Sequence, residues 1–171
     1  TEPAVDVVRA DLDQAVNTAL RHLRVMGHHR PVLLGPGPLA EPGQALARID
    51  PGPGDIGRAA GFRAAQRALT EQPGVDALIC GTDEIALGAL AGLHAAGVDV
   101  PGRVAVIGYG NLDDARFSTP SLTTIDPDPI SLAHNAIDLL TARFSQPGRA
   151  PESVSVPVTL VQRESTSKGA R

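Results

Sequence analysis

A chain of 171 residues with 42% hydrophobic content is long enough for one domain with a substantial core. Its formal net charge of -4 argues against a nucleic-acid surface, which carries a basic patch or stripe, and no apolar run approaches the roughly 20 residues that span a bilayer. The single cysteine, Cys80, excludes an internal disulfide and an all-cysteine metal site, and the absence of a positively charged start leading into an apolar run fits a cytoplasmic protein.

Apolar periodicity switches repeatedly along the chain. Val5 to Val8 reads as a short buried strand, and Leu12, Val16, Leu20 and Leu23 recur at helical spacing until Gly27, a natural stop. Val32 to Leu34 is a second apolar run. From Gly35 to Gly54 the sequence "GPGPLAEPGQALARIDPGPG" holds five prolines and five glycines, too interrupted for a long helix or strand, and reads as a loop. Phe62, Ala65 and Leu69 mark a second helix, Ala77 to Cys80 a third strand, and Ala86, Ala89, Leu90 and Leu93 a helical face ending near Gly97. Val104 to Ile107 is again apolar and is followed by Gly108. A last helix is expected from about Pro129 to Phe144 on Leu132, Ala136, Leu139 and Leu140, and Val154 to Val161 alternates like a strand nearer an edge. Continuous apolar strands are buried on both faces, so the fold class is α/β, with a parallel sheet flanked by helices.

In open parallel sheets, ligands bind beyond the carboxyl ends of the strands, where loops lead into helix N-termini. "ALICGTDEIALGAL" (77–90) changes from apolar to polar at such a join, at Thr82 and Asp83. Either residue type favours helix capping, which does not exclude ligand contact. The same pattern follows Val104 to Ile107, where "GYGNLDD" supplies Tyr109, Asn111, Asp113 and Asp114. Two polar strand ends suggest one shared cleft. Asp113 and Asp114 also fit a solvated turn pair, with Arg116 as an ionic partner. Phe117 fits packing under the loop as well as ligand stacking.

Other chemistries are weak. His22, His28, His29, His94 and His134 lack the spacing of a zinc site and fit capping and surface roles near helix ends. Cys80 lies in a buried strand without an activating base. "GPGPLAEPG" lacks the lysine of a phosphate loop, and no Gly-x-Ser-x-Gly elbow is present. No catalytic residue, metal or cofactor is expected.

"VDALICGTDEIALGAL", "GVDVPGRVAVIGYGNLDDARFSTPSLTTI", "VTLVQREST" and "VVRADLDQAVNTALRHLRVMGHHR" together resemble the effector-binding domain of the lac repressor/galactose repressor (LacI/GalR) family of bacterial transcription regulators. The resemblance covers nearly the whole chain outside residues 35–54. It implies a periplasmic-binding-protein-like fold of type I, here mainly the C-terminal lobe plus a returning helix and strand. It also implies a small-molecule effector, usually a sugar or nucleobase, and a homodimer. Operator DNA would be reached only through an N-terminal helix-turn-helix region that, with most of the first lobe, this chain lacks. On this reading residues 1–163 form the truncated effector-binding domain, 35–54 a Pro/Gly-rich loop and 164–171 a tail.

The family pattern also implies groups that differ here. The usual Asn before Asp is Thr82, and the acidic residue after Gly-Tyr is Gly110; the aromatic after Gly-Asp is Ile56, and an effector-gripping arginine has no counterpart near "ALARID", the one strand remnant in the loop. The expected ligand-binding residues are therefore Thr82, Asp83, Tyr109, Asn111 and Phe117. An extracytoplasmic solute-binding protein, a diverged core without a working effector site and an enzyme on a Rossmann-like sheet are the alternatives. For dimerisation, the Ala-rich helix from Glu84 to Ala96 offers small residues for close packing, as would any helix on a sheet.

Overall fold

A computed structural model of the chain describes residues 5–35, 46–50 and 57–167. In chain order the first elements are β1 (Val7–Ala10), α1 (Leu12–Val25), β2 (Pro31–Leu34), β3 (Ala47–Ile49) and α2 (Arg58–Glu71). Then come β4 (Ala77–Cys80), α3 (Asp83–Ala95), β5 (Ala105–Tyr109), α4 (Asp113–Phe117) and β6 (Thr123–Asp126), followed by α5 (Pro129–Ser145), β7 (Ser153–Val156) and β8 (Thr159–Val161). A six-stranded sheet has the order β3-β2-β4-β5-β6-β8, parallel throughout except for the antiparallel edge strand β8. β1 and β7 form a separate parallel pair.

Because side chains alternate along a strand, the central strands divide their residues between two cores. Leu78, Cys80, Val104 and Val106 pack with Ile85, Ala89 and Leu93 of α3 and with the alanines of α2. Ala77, Ile79, Ala105 and Ile107 pack with Ala15, Val16, Ala19 and Leu23 of α1. Full burial of each large aliphatic side chain contributes about 1.5–3 kcal/mol, so strands covered on both sides carry much of the stability. The expected parallel, helix-covered sheet is what forms.

Backbone chemistry sets the ends of the helices. The Asp11 carboxylate accepts from Gln14 N at 2.9 Å to start α1, and Gly27, at φ +89, ends the turn that follows it. α2 and α3 approach so closely that a Cβ on Gly61 or Gly88 would run into the carbonyls of Ile85 or Arg58. Gly92 faces the Phe62 carbonyl in the same way, so part of the small-residue surface of α3 is used within the chain.

Several elements differ from the sequence-based expectation. β1 begins at Val7, not Val5. Val5 is exposed, and Asp6, which follows it, turns its carboxylate to Arg143 at 2.8 Å and to Glu152 N at 2.9 Å. The segment expected as one strand over Val154 to Val161 is two, β7 pairing with β1 and β8 with β6, with Pro157, which has no N–H to give a ladder, between them. On α5 only Leu139 of the expected apolar face is buried, whereas Ala136 and Leu140 are exposed. Within the Pro/Gly-rich segment, Ala47–Ile49 of "ALARID" is strand β3, and Asp55 and Ile56 lie outside the described residues. His22 and His28 are buried rather than on the surface.

The segment Arg163–Ser167 is knit into the sheet. Ser165 N donates to Ser121 O at 2.9 Å and Val106 N to Ser165 O at 2.9 Å, and the Ser165 hydroxyl donates to Val106 O at 2.6 Å. Thr166 Oγ1 lies 2.8 Å from both His22 Nε2 and Thr123 Oγ1, fastening the segment to α1 and β6.

Candidate functional site

Asp83 is the first residue of α3, yet it does not cap it. Thr82 is the N-cap, its hydroxyl accepting from Ile85 N at 3.2 Å. Asp83 instead turns beneath the ends of the neighbouring strands, where it is fully buried. Its Oδ1 accepts from the Thr124 hydroxyl at 2.6 Å and its Oδ2 from Leu112 N at 2.8 Å. Gly108 pairs with Thr124 across β5 and β6, and a Cβ on Gly108 would collide with Asp83 Oδ1. Burial pushes the Asp83 carboxyl above the ordinary carboxylate range, against the lowering effect of the Thr124 and Leu112 hydrogen bonds. One carboxylate thus ties the ends of β4, β5 and β6 together.

Asn111 sits one loop further on, in the left-handed region at φ 51, after Gly110 at φ 129. Asparagine tolerates this conformation better than most residues. Its N–H donates to Thr124 Oγ1 at 3.3 Å, its Oδ1 accepts from Arg163 Nη2 at 2.8 Å, and its Nδ2 donates to Asp126 Oδ2 at 2.8 Å. Both ends of the amide therefore have partners within the chain.

Thr82, Asp83 and Asn111 are brought together at the carboxyl ends of β4 and β5. Tyr109 closes β5 at the same end, half-buried on the α1 side of the sheet. Burial, with a smaller effect of the Asp126 charge, raises its phenol above the usual range. Phe117 is not brought in: it is 78% exposed at the end of α4, packed neither as a core residue nor against the strand ends. The Arg116 guanidinium lies over its ring at 5.9 Å, so Arg116 stacks on the aromatic. Asp114 instead pairs with Arg58, which also binds Glu84 at 2.8 Å.

Sequence reasoning missed Thr124, Asp126 and Arg163, the partners that organise these residues. Thr124 and Arg163 lie inside the quoted motifs "PSLTTI" and "VQREST", but only their distance from Asp83 and Asn111 in the fold, not in the chain, gives them a role. Among the described residues no group of three or more His, Cys, Asp or Glu side chains is placed to hold a metal. Cys80 is fully buried, and burial pushes its thiol far up, consistent with an inert core residue. No helix among the described residues is long and apolar enough to cross a membrane.

The chain matches the periplasmic binding protein-like domain family over residues 20–166. It is 37% identical over 116 residues to the HTH-type transcriptional repressor PurR of Escherichia coli, a match covering 68% of this chain and 34% of that protein. The chain thus spans about a third of the length of the curated relatives it matches. A LacI-type transcription regulator from Bifidobacterium animalis subsp. lactis superposes with a TM-score of 0.82 at 29% identity, covering 96% of this chain and 68% of that one. A LacI family transcriptional regulator from Enterococcus faecalis, solved with bound ribose, gives 0.81 at 26% identity, covering 95% and 63%.

Proposed function

Since the chain belongs to the periplasmic-binding-protein-like effector domains of the LacI/GalR family, we propose that it is the effector-sensing and dimerisation core of a cytoplasmic transcriptional regulator. It takes up a sugar-like small molecule at the carboxyl ends of β4 and β5, and this binding modulates attachment of a helix-turn-helix region to operator DNA. The observation that carries the reading is the meeting of Asp83 and Asn111 on Thr124, beside the α3 N-cap Thr82, at the end where open parallel sheets bind ligands. In this reading Thr82 and the loop from Tyr109 to Asn111 face the ligand, while buried Asp83 supports them. The regulator from Enterococcus faecalis with bound ribose supports a sugar-class effector. The protein acts by binding rather than by catalysis.

The dimer face we assign to α2 and α3. A groove of about 540 Å³ runs between them, lined among others by Phe62, Leu87, Gly88 and Ala91, and Arg58 links this face to α4 through Asp114, at whose end Phe117 is exposed. On this assignment Phe117 serves the subunit contact instead of the ligand.

Isothermal titration with ribose, other pentoses and hexoses, and nucleobases tests the effector reading. Saturable binding that is lost in Thr82→Val supports it. The saturated amide of Asn111 and the missing side chain at Gly110 favour a second reading, a core without a working pocket, and a flat series with folded protein would establish that one.

A further inference from the structure

Three connections join the six-stranded sheet to the β1–β7 pair: β1 to α1, β6 to α5, and β7 to β8. Two of them are fastened to each other, since Asp11 N donates to Val156 O at 2.8 Å and Val158 N donates to Gln14 Oε1 at 2.9 Å. The third, from β6 to α5, is fastened to the loop that carries Asn111.

That fastening is an unbroken run of hydrogen bonds. Arg163 donates from Nη1 to Leu122 O at 2.6 Å and from Nη2 to Asn111 Oδ1 at 2.8 Å. Asn111 Nδ2 donates to Asp126 Oδ2 at 2.8 Å, and the other Asp126 oxygen accepts from Asp128 N at 2.8 Å. Asp128 then caps α5, accepting from Ser131 N at 3.0 Å. Asn111 and Asp128, on either side of Asp126 in this run, both have φ 51. Residues other than glycine hold that conformation when their surroundings over-determine it, and these hydrogen bonds do so.

We propose that Arg163 is a positioning residue, and that the Arg163–Asn111–Asp126 chain makes the exit of β6, with α5 behind it, follow the position of the 110–112 loop. The guanidinium suits this task because its planar fork reaches a backbone carbonyl and an amide oxygen at once, which a single ammonium cannot reproduce. Asn111 then acts on a ligand through where it holds the loop, since its own amide is already engaged. The inference rests on the effector reading only in taking this loop as the place where a ligand acts.

Amide hydrogen exchange of the whole chain tests the coupling without any ligand. In Arg163→Lys, which keeps the charge, the Asp128 and Ser131 amides should exchange at least about tenfold faster together with Leu112, while Val158 is unchanged. Gln14→Ala should do the reverse, loosening Val158 alone. If Arg163→Lys does not fold, Asn111→Gly, which adopts φ 51 without strain, removes the amide and reads the same positions. Loosening confined to residues 110–112, with Asp128 and Ser131 as in the parent chain, overturns the proposal. Adding ribose to the parent chain separates this from the effector reading. Coupled exchange in the variants upholds the relay even if ribose has no effect, and a ribose response confined to 110–112 overturns it.

Discussion

Thr124 donates its hydroxyl to Asp83 Oδ1 at 2.6 Å in a part of the fold where Asp83 has no solvent exposure. The partner oxygen takes the Leu112 N–H, so the carboxylate satisfies two donors from two different segments. Asp83→Ala leaves both donors unpaired, at about 1–3 kcal/mol each, for an expected loss of about 2–6 kcal/mol. In Asp83→Asn the amide oxygen can take Leu112 N–H while its nitrogen donates to Thr124, and the loss should be smaller. Urea unfolding of the two variants checks the order; equal losses would mean that these bonds are not what the carboxylate contributes.

The same residue predicts an acid-side signature. Its folded pKa is raised, with burial as the largest cause, so the folded chain holds this proton more tightly than the unfolded chain. Stability from Asp83 is therefore fully present below the unfolded value near 3.8 and is lost as pH rises through the folded value. Relative to the parent, Asp83→Asn should gain stability as pH rises through this window. A pH-independent difference between their urea midpoints would count against it.

His22 has the opposite sign. Burial, with a smaller contribution from the charge of His28, lowers its pKa from the ordinary 6.5, and its Nε2 lies 2.8 Å from Thr166 Oγ1. The unfolded chain binds this proton more readily, so the contribution is fully present above about pH 6.5 and is lost as pH falls through the lowered folded value. Urea midpoints from pH 8 to 5 should drop more steeply for the parent than for His22→Gln. Parallel curves would show that His22 does not contribute the slope.

The sheet was legible because its central strands are short, continuous apolar runs bounded by glycine and polar residues, as in Ala77 to Cys80 followed by Gly81. β6 was not, since "TTID" is polar by composition. Its threonines are buried only because Thr124 meets Asp83 and Thr123 meets Thr166 and the Arg163 backbone. The candidate site was legible to the extent that strand ends concentrate polar residues, which placed Thr82, Asp83 and Asn111 at one end of the sheet. It was illegible where a role depends on long-range partners: spacing cannot distinguish a carboxylate that reaches a ligand from one that turns under the sheet. Phe117 was misplaced for a related reason, as an apolar residue after a polar loop carries no information about which side of a short helix it occupies.

Close helix packing gives a further prediction. A Cβ on Gly88 would meet the Arg58 carbonyl, a backbone atom that cannot rotate away. Gly88→Ala must therefore separate α2 from α3, at an overpacking cost of about 1–3 kcal/mol or more, despite the better helix propensity of alanine. Gly148→Ala, where a Cβ meets nothing within 4 Å, is the control and should be nearly neutral. If Gly88→Ala is as stable as Gly148→Ala by thermal melting, the two helices are not in backbone contact in solution.

α5 presents a second apolar stripe that the chain leaves exposed. Ile130, Ile137, Leu140 and Phe144 are 68%, 60%, 55% and 77% accessible, and their spacing of seven, three and four places them along one side of the helix. Leu139, on the opposite side of the helix, is buried, and α5 packs against β1 and β7, so the helix is apolar on two sides while packed on one. Replacing Ile137 and Leu140 together by glutamine removes little that is buried, and the expected change in urea stability is within about 0.5 kcal/mol per substitution. Exposed apolar patches drive association and dye binding, so the same variant should bind a hydrophobic fluorophore more weakly and sediment with less self-association than the parent. A loss of several kcal/mol would show that the stripe is covered in solution, and unchanged dye binding and sedimentation would show that it attracts nothing.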